Sequence, residues 1–488
     1  MITALILFWP ALAALLVLLL KGQSAKKVAF VAALVEFALA LYATAGFTNE
    51  TVAPQFALNI PWVESAGISF SIGMDGISLL MVLLTTFLVP LIVLSSFKHD
   101  YKNPNAFYAL ILFMQTGLIG VFVALDAFLF YFFWEVALIP IYFIAAIWGG
   151  ENRIKVTFKF FVYTIFGSLF MLAAFVYLYF QTAGTGVSAH SSSVNAFYQL
   201  ALDSGTQSWI FWFLFLAFAI KMPVFPFHTW QPDTYTESPT QATMLLSGIM
   251  LKMGIYGVLR WLLPVVPLGV SQWVDLVLVL SIIGVVYGSI IAIRQHDLKR
   301  LIAYSSIAHV GLISAGIFTL NEQGLQGGVI QMLSHGVNVV GLFFIIDIIY
   351  RRTNTREITS LGGITQNAKA LSIFFMILLL GSVALPLTNG FVGEFLLLSG
   401  VFQYNYIFGA VAGLTIILAA VYMLRMFQGV MFGTKSAKTE GFTDLTLTEK
   451  AVLIPLVIMV FWIGLFPNTF LEISEPAVGN LLNIIQRR

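Results

Sequence analysis

The sequence predicts an all-α polytopic membrane protein of about 14 transmembrane helices, arranged with two inverted five-helix repeats that each contain a broken helix. Three observations predict it. Of 488 residues only 24 are Lys or Arg and 22 Asp or Glu, 9% charged, where a soluble domain carries about 25%. Apolar residues make up 59% and the mean hydropathy is +0.94. Apolar runs of about 20 residues, the length that crosses a bilayer as a helix, recur along the whole chain between charged or Gly/Pro-rich breaks.

Taken in order, the runs lie near 2 to 20, 28 to 46, 75 to 97, 107 to 125, 127 to 148, 157 to 181 and 208 to 227. Seven more lie near 238 to 263, 273 to 293, 299 to 320, 325 to 350, 369 to 402, 404 to 431 and 447 to 467. The first is expected to be a retained helix and no signal peptide, because no Lys or Arg precedes it and Lys21, Lys26 and Lys27 follow it. The longest polar interruptions, 47 to 74 and 182 to 207, leave no room for a soluble domain. Residues 1–488 therefore form one membrane domain: helices 1 to 3 over 1–106, a first repeat over 107–263, a second over 273–431 and a C-terminal helix 14 over 447–488.

Charge asymmetry orients the chain, since Lys and Arg in short loops stay on the cytoplasmic side. With Met1 outward, 19 of the 24 basic residues fall in cytoplasmic loops and span ends, from Lys21 and Lys98 to Arg351, Arg425 and Lys450. Arg260, Arg487 and Arg488 remain outside, and Lys221 and Lys252 lie within spans. This orientation suits a bacterial inner (cytoplasmic) membrane with both termini on the outer, periplasmic side.

The same composition excludes several chemistries. There are no cysteines, which removes iron–sulfur clusters, thiolate zinc sites and Cys nucleophiles from this chain. No HExxH occurs and the six histidines are scattered, so no metal site is expected. Basic residues form no block, which argues against nucleic acid as a partner. GTGVSA at 184 to 189 matches a dinucleotide fingerprint only formally, because no strand precedes it and no helix opens on it. The small-residue pairs Gly284/Gly288 and Gly409/Gly413 are expected to let helices pack closely.

Ionisable residues within spans carry the chemistry, since each costs at least about 2.5–3.5 kcal/mol at mid-bilayer. Glu135 lies in FLFYFFWEVALIPIYF, where nothing local neutralises it. Lys221 lies beside Pro223 and Pro226, which break the seventh span. Lys252 sits mid-span in MLLSGIMLKMGIYGVL. A carboxylate moved toward or away from a buried lysine switches its protonation. His309 and His335 are about ten residues into their spans, and imidazole relays a proton in place. Glu394 follows Pro386, Asn389 and Gly390, a second break in the twelfth span. Placing spans 4 to 8 against 9 to 13 sets the two broken helices opposite each other, and the odd offset of five makes the copies inverted, as in many ion-coupled transporters. His228, with Asp233 and Glu237 at the cytoplasmic mouth of the seventh span, is a candidate proton inlet. Glu36 stands alone mid-way along the second span, with structural pairing and a peripheral proton site equally open. Asp126, Asp347, Lys299 and Arg425 are expected near the interfaces.

KMPVFPFHTWQPDTYTESPTQATMLLSGIMLKMGIYGVLR (221 to 260) and HDLKRLIAYSSIAHVG (296 to 311) resemble the proton-conducting antiporter-like subunits of respiratory complex I, NADH:quinone oxidoreductase. Glu394 in FVGEF and the length resemble the M-type, the chain M or mitochondrial subunit 4 type. The resemblance implies a Glu135–Lys221 pair that switches the lysine, Lys252 as central relay, His309 and His335 along the midplane, and Glu394 as terminal site. It implies no cofactor on this chain, with NAD, FMN, iron–sulfur clusters and quinone on partner subunits. The implied partners are the other membrane subunits, neighbouring L-type and N-type antiporter-like subunits among them, and the lipid bilayer. One departure is QPDTYTESPTQA, where many relatives have LPDAHSQAPTAGS, so Tyr235 stands in place of an imidazole. The expected function is a proton-translocating subunit of NADH:quinone oxidoreductase. A subunit of an Mrp-type sodium/proton antiporter or membrane-bound hydrogenase is the alternative.

Overall fold

The computed structural model describes residues 1–488 apart from 21, 184–188, 487 and 488. Lys21, Arg487, Arg488 and all of the GTGVSA segment except Ala189 therefore lie outside the described residues. Helices follow the apolar runs closely. They are α1 (Ile2–Leu19), α2 (Gln23–Ala45), α3 (Gly76–Ser95), α4 (Pro104–Val123), α5 (Ala127–Trp148), α6 (Arg153–Gln181) and α7 (Ser204–Lys221). After these come α8 (Thr240–Leu262), α9 (Pro267–Ile293), α10 (Leu298–Ile317), α11 (Glu322–Thr353), α12 in two halves (Lys369–Ser382 and Asn389–Tyr404), α13 (Tyr406–Met431) and α14 (Leu447–Leu465). Twelve of the helices among the described residues are long and apolar enough to cross a membrane. The two expected spans missing from that set, α7 and α12, are the broken ones.

Proline chemistry sets both breaks. Pro223 and Pro226 cannot continue α7, and the chain runs irregularly from 222 to 230 before a short helix at Gln231–Glu237. In α12 the halves are separated by 383–388, where Ala384 and Leu387 adopt positive φ of 56° and 74° around Pro386. The tips are fixed by side chains: the Trp230 indole donates to the Ile220 carbonyl (2.9 Å), and Ser334 and Asn389 bond each other's backbone carbonyls (2.9 and 3.2 Å). That second exchange pins the α12 break against the middle of α11.

The all-α membrane architecture stands, with one addition and one change. An antiparallel hairpin, β1 (Gln55–Val63) and β2 (Ile68–Met74), occupies the 47 to 74 interruption between helices. Its turn closes at Gly67 with φ +61°, a conformation glycine adopts without a Cβ clash. The C-terminal segment beyond α14 forms its own helix, α15 (Asn468–Gln486), which packs on α3 and α11. Of the small-residue pairs, Gly288 lies close to the α10 backbone and Gly409 close to Phe402, while Gly284 and Gly413 meet neighbours only at ordinary distances or within their own helix.

Burial ranks the helices. α8 and α11 are enclosed by protein along their whole spans and α10 nearly so, whereas α1, α2, α13 and α14 turn most of their surface outward. The enclosed helices carry Lys252, His309 and His335. Lipid cannot solvate such groups, so the helices that bear them lie where protein covers every face.

Candidate functional site

Four of the six candidate residues meet in the centre of the fold. Lys252 is fully buried; its Nζ donates to the Ser247 carbonyl (2.6 Å) and lies 2.9 Å from His335 Nδ1. The His335 and His309 rings stand 5.9 Å apart between centroids. His309 Nδ1 is 3.0 Å from Glu394 Oε1, near enough to pair but outside hydrogen-bonding alignment, since neither atom has a hydrogen-bond partner within the chain. Residues from α8, α11, α10 and the second half of α12 thus form one row, Lys252–His335–His309–Glu394, with every member at most 5% exposed.

A feature invisible in the apolar pattern brings Lys252 into that row. Within α8, Leu246–Met250 winds as a π-helix, as does Val258–Leu262, and each wider turn takes up one extra residue. The first places Lys252 against the carbonyl five residues back, so that Thr243, Ser247, Lys252, Tyr256 and Arg260 follow one another along a polar stripe. Ser247 Oγ bonds the Thr243 carbonyl (2.7 Å). Arg260 Nε donates to the Tyr256 hydroxyl (3.2 Å) and its Nη2 to Asp75 (2.5 Å). The sequence signal for this was Ser247-Gly248 four to five residues before the lysine, which reads equally well as ordinary helix.

The other two residues are adjacent but apart. Lys221 ends α7, where the partial negative charge of the helix C-terminus favours a cation. Its Nζ lies over the Trp134 ring at 5.2 Å and has no hydrogen-bond partner among the described residues. Glu135, the next residue after Trp134, is the charged group that acts on Lys221, yet no ion pair closes between them among the described residues. Trp134 was not singled out by the sequence, because an aromatic in so aromatic a run reads as packing.

His228 is 3% exposed, stacked on Phe225 (5.6 Å) and edge-on to Tyr287 (5.1 Å). It is not gathered with its sequence neighbours: Asp233 pairs with Lys159 and Arg300, each at 3.0 Å, and Glu237 accepts from the Asn152 backbone (3.1 Å). Glu36 is fully buried and faces the Gln115 side chain. Asp126 caps α5 through Phe128 and Leu129 N–H and accepts from Ser192 (2.5 Å). Asp347 and Lys299, expected at the interface, are each 2% exposed. Asp347 holds His99 (2.8 Å) and Arg351 (3.0 Å). Among the described residues no group of three or more metal-ligating side chains occurs.

Comparison with known proteins bears on the family and the fold. Residues 124–419 match the family described as NADH:quinone oxidoreductase/Mrp antiporter, TM, and residues 6–123 match NADH-ubiquinone oxidoreductase chain 4, amino terminus. NADH-quinone oxidoreductase subunit M of Rickettsia typhi is 39% identical over 99% of this chain and 98% of its own length. A chain of respiratory complex I from Thermus thermophilus, solved with bound NADH, superposes with a TM-score of 0.90 at 30% identity, covering 99% of this chain and all of that one. A chain of the Mrp complex from Dietzia sp. shares the fold, with a TM-score of 0.85 at 20% identity over 99% of both chains.

Proposed function

This chain belongs to the family of antiporter-like membrane subunits that includes NADH-quinone oxidoreductase subunit M, and on that premise we propose that it moves protons through the membrane along Glu135, Lys221, Lys252, His335, His309 and Glu394. Redox chemistry in other subunits drives the movement; NAD, FMN, iron–sulfur clusters and quinone belong to those partners. The observation that carries the reading is the row from Lys252 to Glu394, with approaches of 2.9 Å at Lys252–His335 and 3.0 Å at His309–Glu394 on either side of two imidazoles 5.9 Å apart. Four buried titratable groups in one row is a costly arrangement for packing alone.

In this mechanism the two regions act in sequence. Closing Glu135 on Lys221 stabilises the ammonium; opening the pair, as here with Lys221 resting on Trp134, frees the lysine to release its proton toward the centre. Lys252 then hands a proton to His335 Nδ1, the imidazoles pass it by ring rotation or through one bridging water, and Glu394 receives it from His309. The broken helices α7 and α12 act as corresponding elements of two inverted halves. His228, in the first break, is the inlet candidate on the side that the Lys/Arg excess assigns to the cytoplasm. L-type and N-type antiporter-like subunits are the proposed neighbours, in a cytoplasmic membrane with both termini outside.

The test is NADH-driven acidification of inverted membrane vesicles carrying Glu135→Gln, with NADH oxidation and complex assembly followed in the same preparation. The expected result is an assembled complex that has lost both pumping and turnover. Unchanged NADH-driven pumping beside lost sodium/proton exchange would overturn it in favour of an Mrp-type antiporter, the alternative that the shared fold supports.

A further inference from the structure

Beyond the midplane row, a second set of titratable groups gathers at the end of the bundle that holds most of the basic residues. His99, just past α3, places Nε2 2.8 Å from Asp347 on α11 and stacks on Tyr101 at 5.4 Å with the rings 7° from parallel. The pair borders a polar cavity of about 510 Å³ whose walls include Lys299, Glu237, Ser238 and Thr240. Lys299 Nζ donates to the Ser238 carbonyl (2.6 Å), and Tyr101 donates to Gln241 in the first turn of α8 (2.5 Å). Inward from the cavity lie further buried polar groups: Ser238 Oγ, with no hydrogen-bond partner among the described residues, and the Tyr235 hydroxyl facing the Gln231 amide without a well-aligned bond to it. Tyr235 packs on Phe343, one turn of α11 deeper than Asp347. Polar groups left unpaired in such a column are what bridging water requires, and the column leads toward Thr243, which bonds the Tyr235 carbonyl (2.9 Å), and on to Ser247 and Lys252.

We propose that His99, held by Asp347, is the proton-accepting residue of a second inlet, apart from the one at His228, feeding Lys252 through the column of Ser238, Tyr235 and Gln231. The assignment rests on the proton-translocating reading of the chain and adds a route to it. The imidazole takes a proton from bulk water at this end of the bundle to become imidazolium, neutralised by Asp347. It then releases one proton to cavity water, and returns to its starting state with no other reactant consumed. Its side chain is 21% exposed while that of Asp347 is 2% exposed, so the pair spans water and interior. The charges around it are Asp347 and Arg351 on α11, Lys299 on α10, and Arg356, Glu237 and Glu151 on the cavity rim, with Glu449 of α14 bound to the far side of Arg351 (3.0 Å). Lys98 beside it faces Glu449 instead.

The experiment compares NADH-driven acidification by inverted vesicles carrying His99→Gln, His99→Gln with Tyr235→His, and Lys252→Met, each checked for assembly. Loss of a proton acceptor at the inlet tells most when protons are scarce. His99→Gln is expected to slow acidification at least about tenfold at pH 8 and less than about twofold at pH 6. The second substitution sets an imidazole one turn deeper in the column and is expected to restore the pH 8 rate. Equal loss at both pH values, absence of rescue, or normal pumping by His99→Gln beside an inactive Lys252→Met would overturn the inlet alone. Normal pumping by Lys252→Met would overturn the translocation reading beneath it. Should His99→Gln fail to assemble, the double variant decides: assembly with a flat pH profile supports the inlet, and assembly with the pH 8 defect overturns it.

Discussion

The two broken helices solve one problem in opposite ways. At α7 the charged residue precedes the break: Lys221 is the last helical residue, its ammonium resting on the Trp134 face at 5.2 Å and bonded to no carboxylate. At α12 the charged residue follows it: Glu394 lies within the second half, 3.0 Å from His309. The first region has an acid and a base held apart; the second has them gathered. In the proposed mechanism the separated pair is the switch and the gathered row the path. The α12 break is tied to α11 by two hydrogen bonds, while the α7 segment carries buried groups such as His228 Nδ1 with no hydrogen-bond partner among the described residues.

Breaking the gathered row should produce the largest effect. Lys252→Met removes its first member and is expected to cut NADH-driven proton pumping about a hundredfold in an assembled complex, the scale of losing a general acid–base group. Retained pumping would place the conducting path elsewhere. Next comes the packing that gathers the row. A Cβ on Gly327 would meet the Leu397 backbone at 2.8 Å, so Gly327→Ala is expected to destabilise by about 1–3 kcal/mol, read as a lower melting midpoint of the solubilised complex.

The separated pair is sharpened by Trp134→Leu, which withdraws the ring beneath Lys221. Both groups are buried, and a desolvated cation–π contact amounts to about 2 kcal/mol. Lys221 should then close on Glu135, and turnover should fall roughly thirtyfold with assembly intact; an unchanged rate would make the ring mere packing. The smallest effect is expected far from both regions. Thr446→Ala removes the capping box at the start of α14 and should cost no more than about 1 kcal/mol, with pumping per complex unchanged.

Much of this was legible in the sequence, for a physical reason. Lipid imposes length and apolarity on every span and a high cost on every buried charge, so the helices and the six midplane candidates stand out in one dimension. Proline lacks an N–H, so both breaks could be read from Pro223, Pro226 and Pro386. What was not legible depends on turns counted wrongly by an ideal helix: the π-helical stretch before Lys252 does not alter composition. The hairpin at 55–74 was hidden by its mixed, partly exposed faces.

Residue chemistry by itself determined that this chain is a membrane bundle, which groups within it bear charge and where two helices must break, because those follow from local rules of solvation and backbone bonding. Only the tertiary structure decided which charges touch. That Lys252 meets His335 while Lys221 stands off from Glu135, and that His99 finds Asp347 across 248 residues of chain, depends on how α3, α8, α10, α11 and the halves of α12 pack. Contacts between distant segments are set by the fit of whole helix faces, which no single run of residues contains.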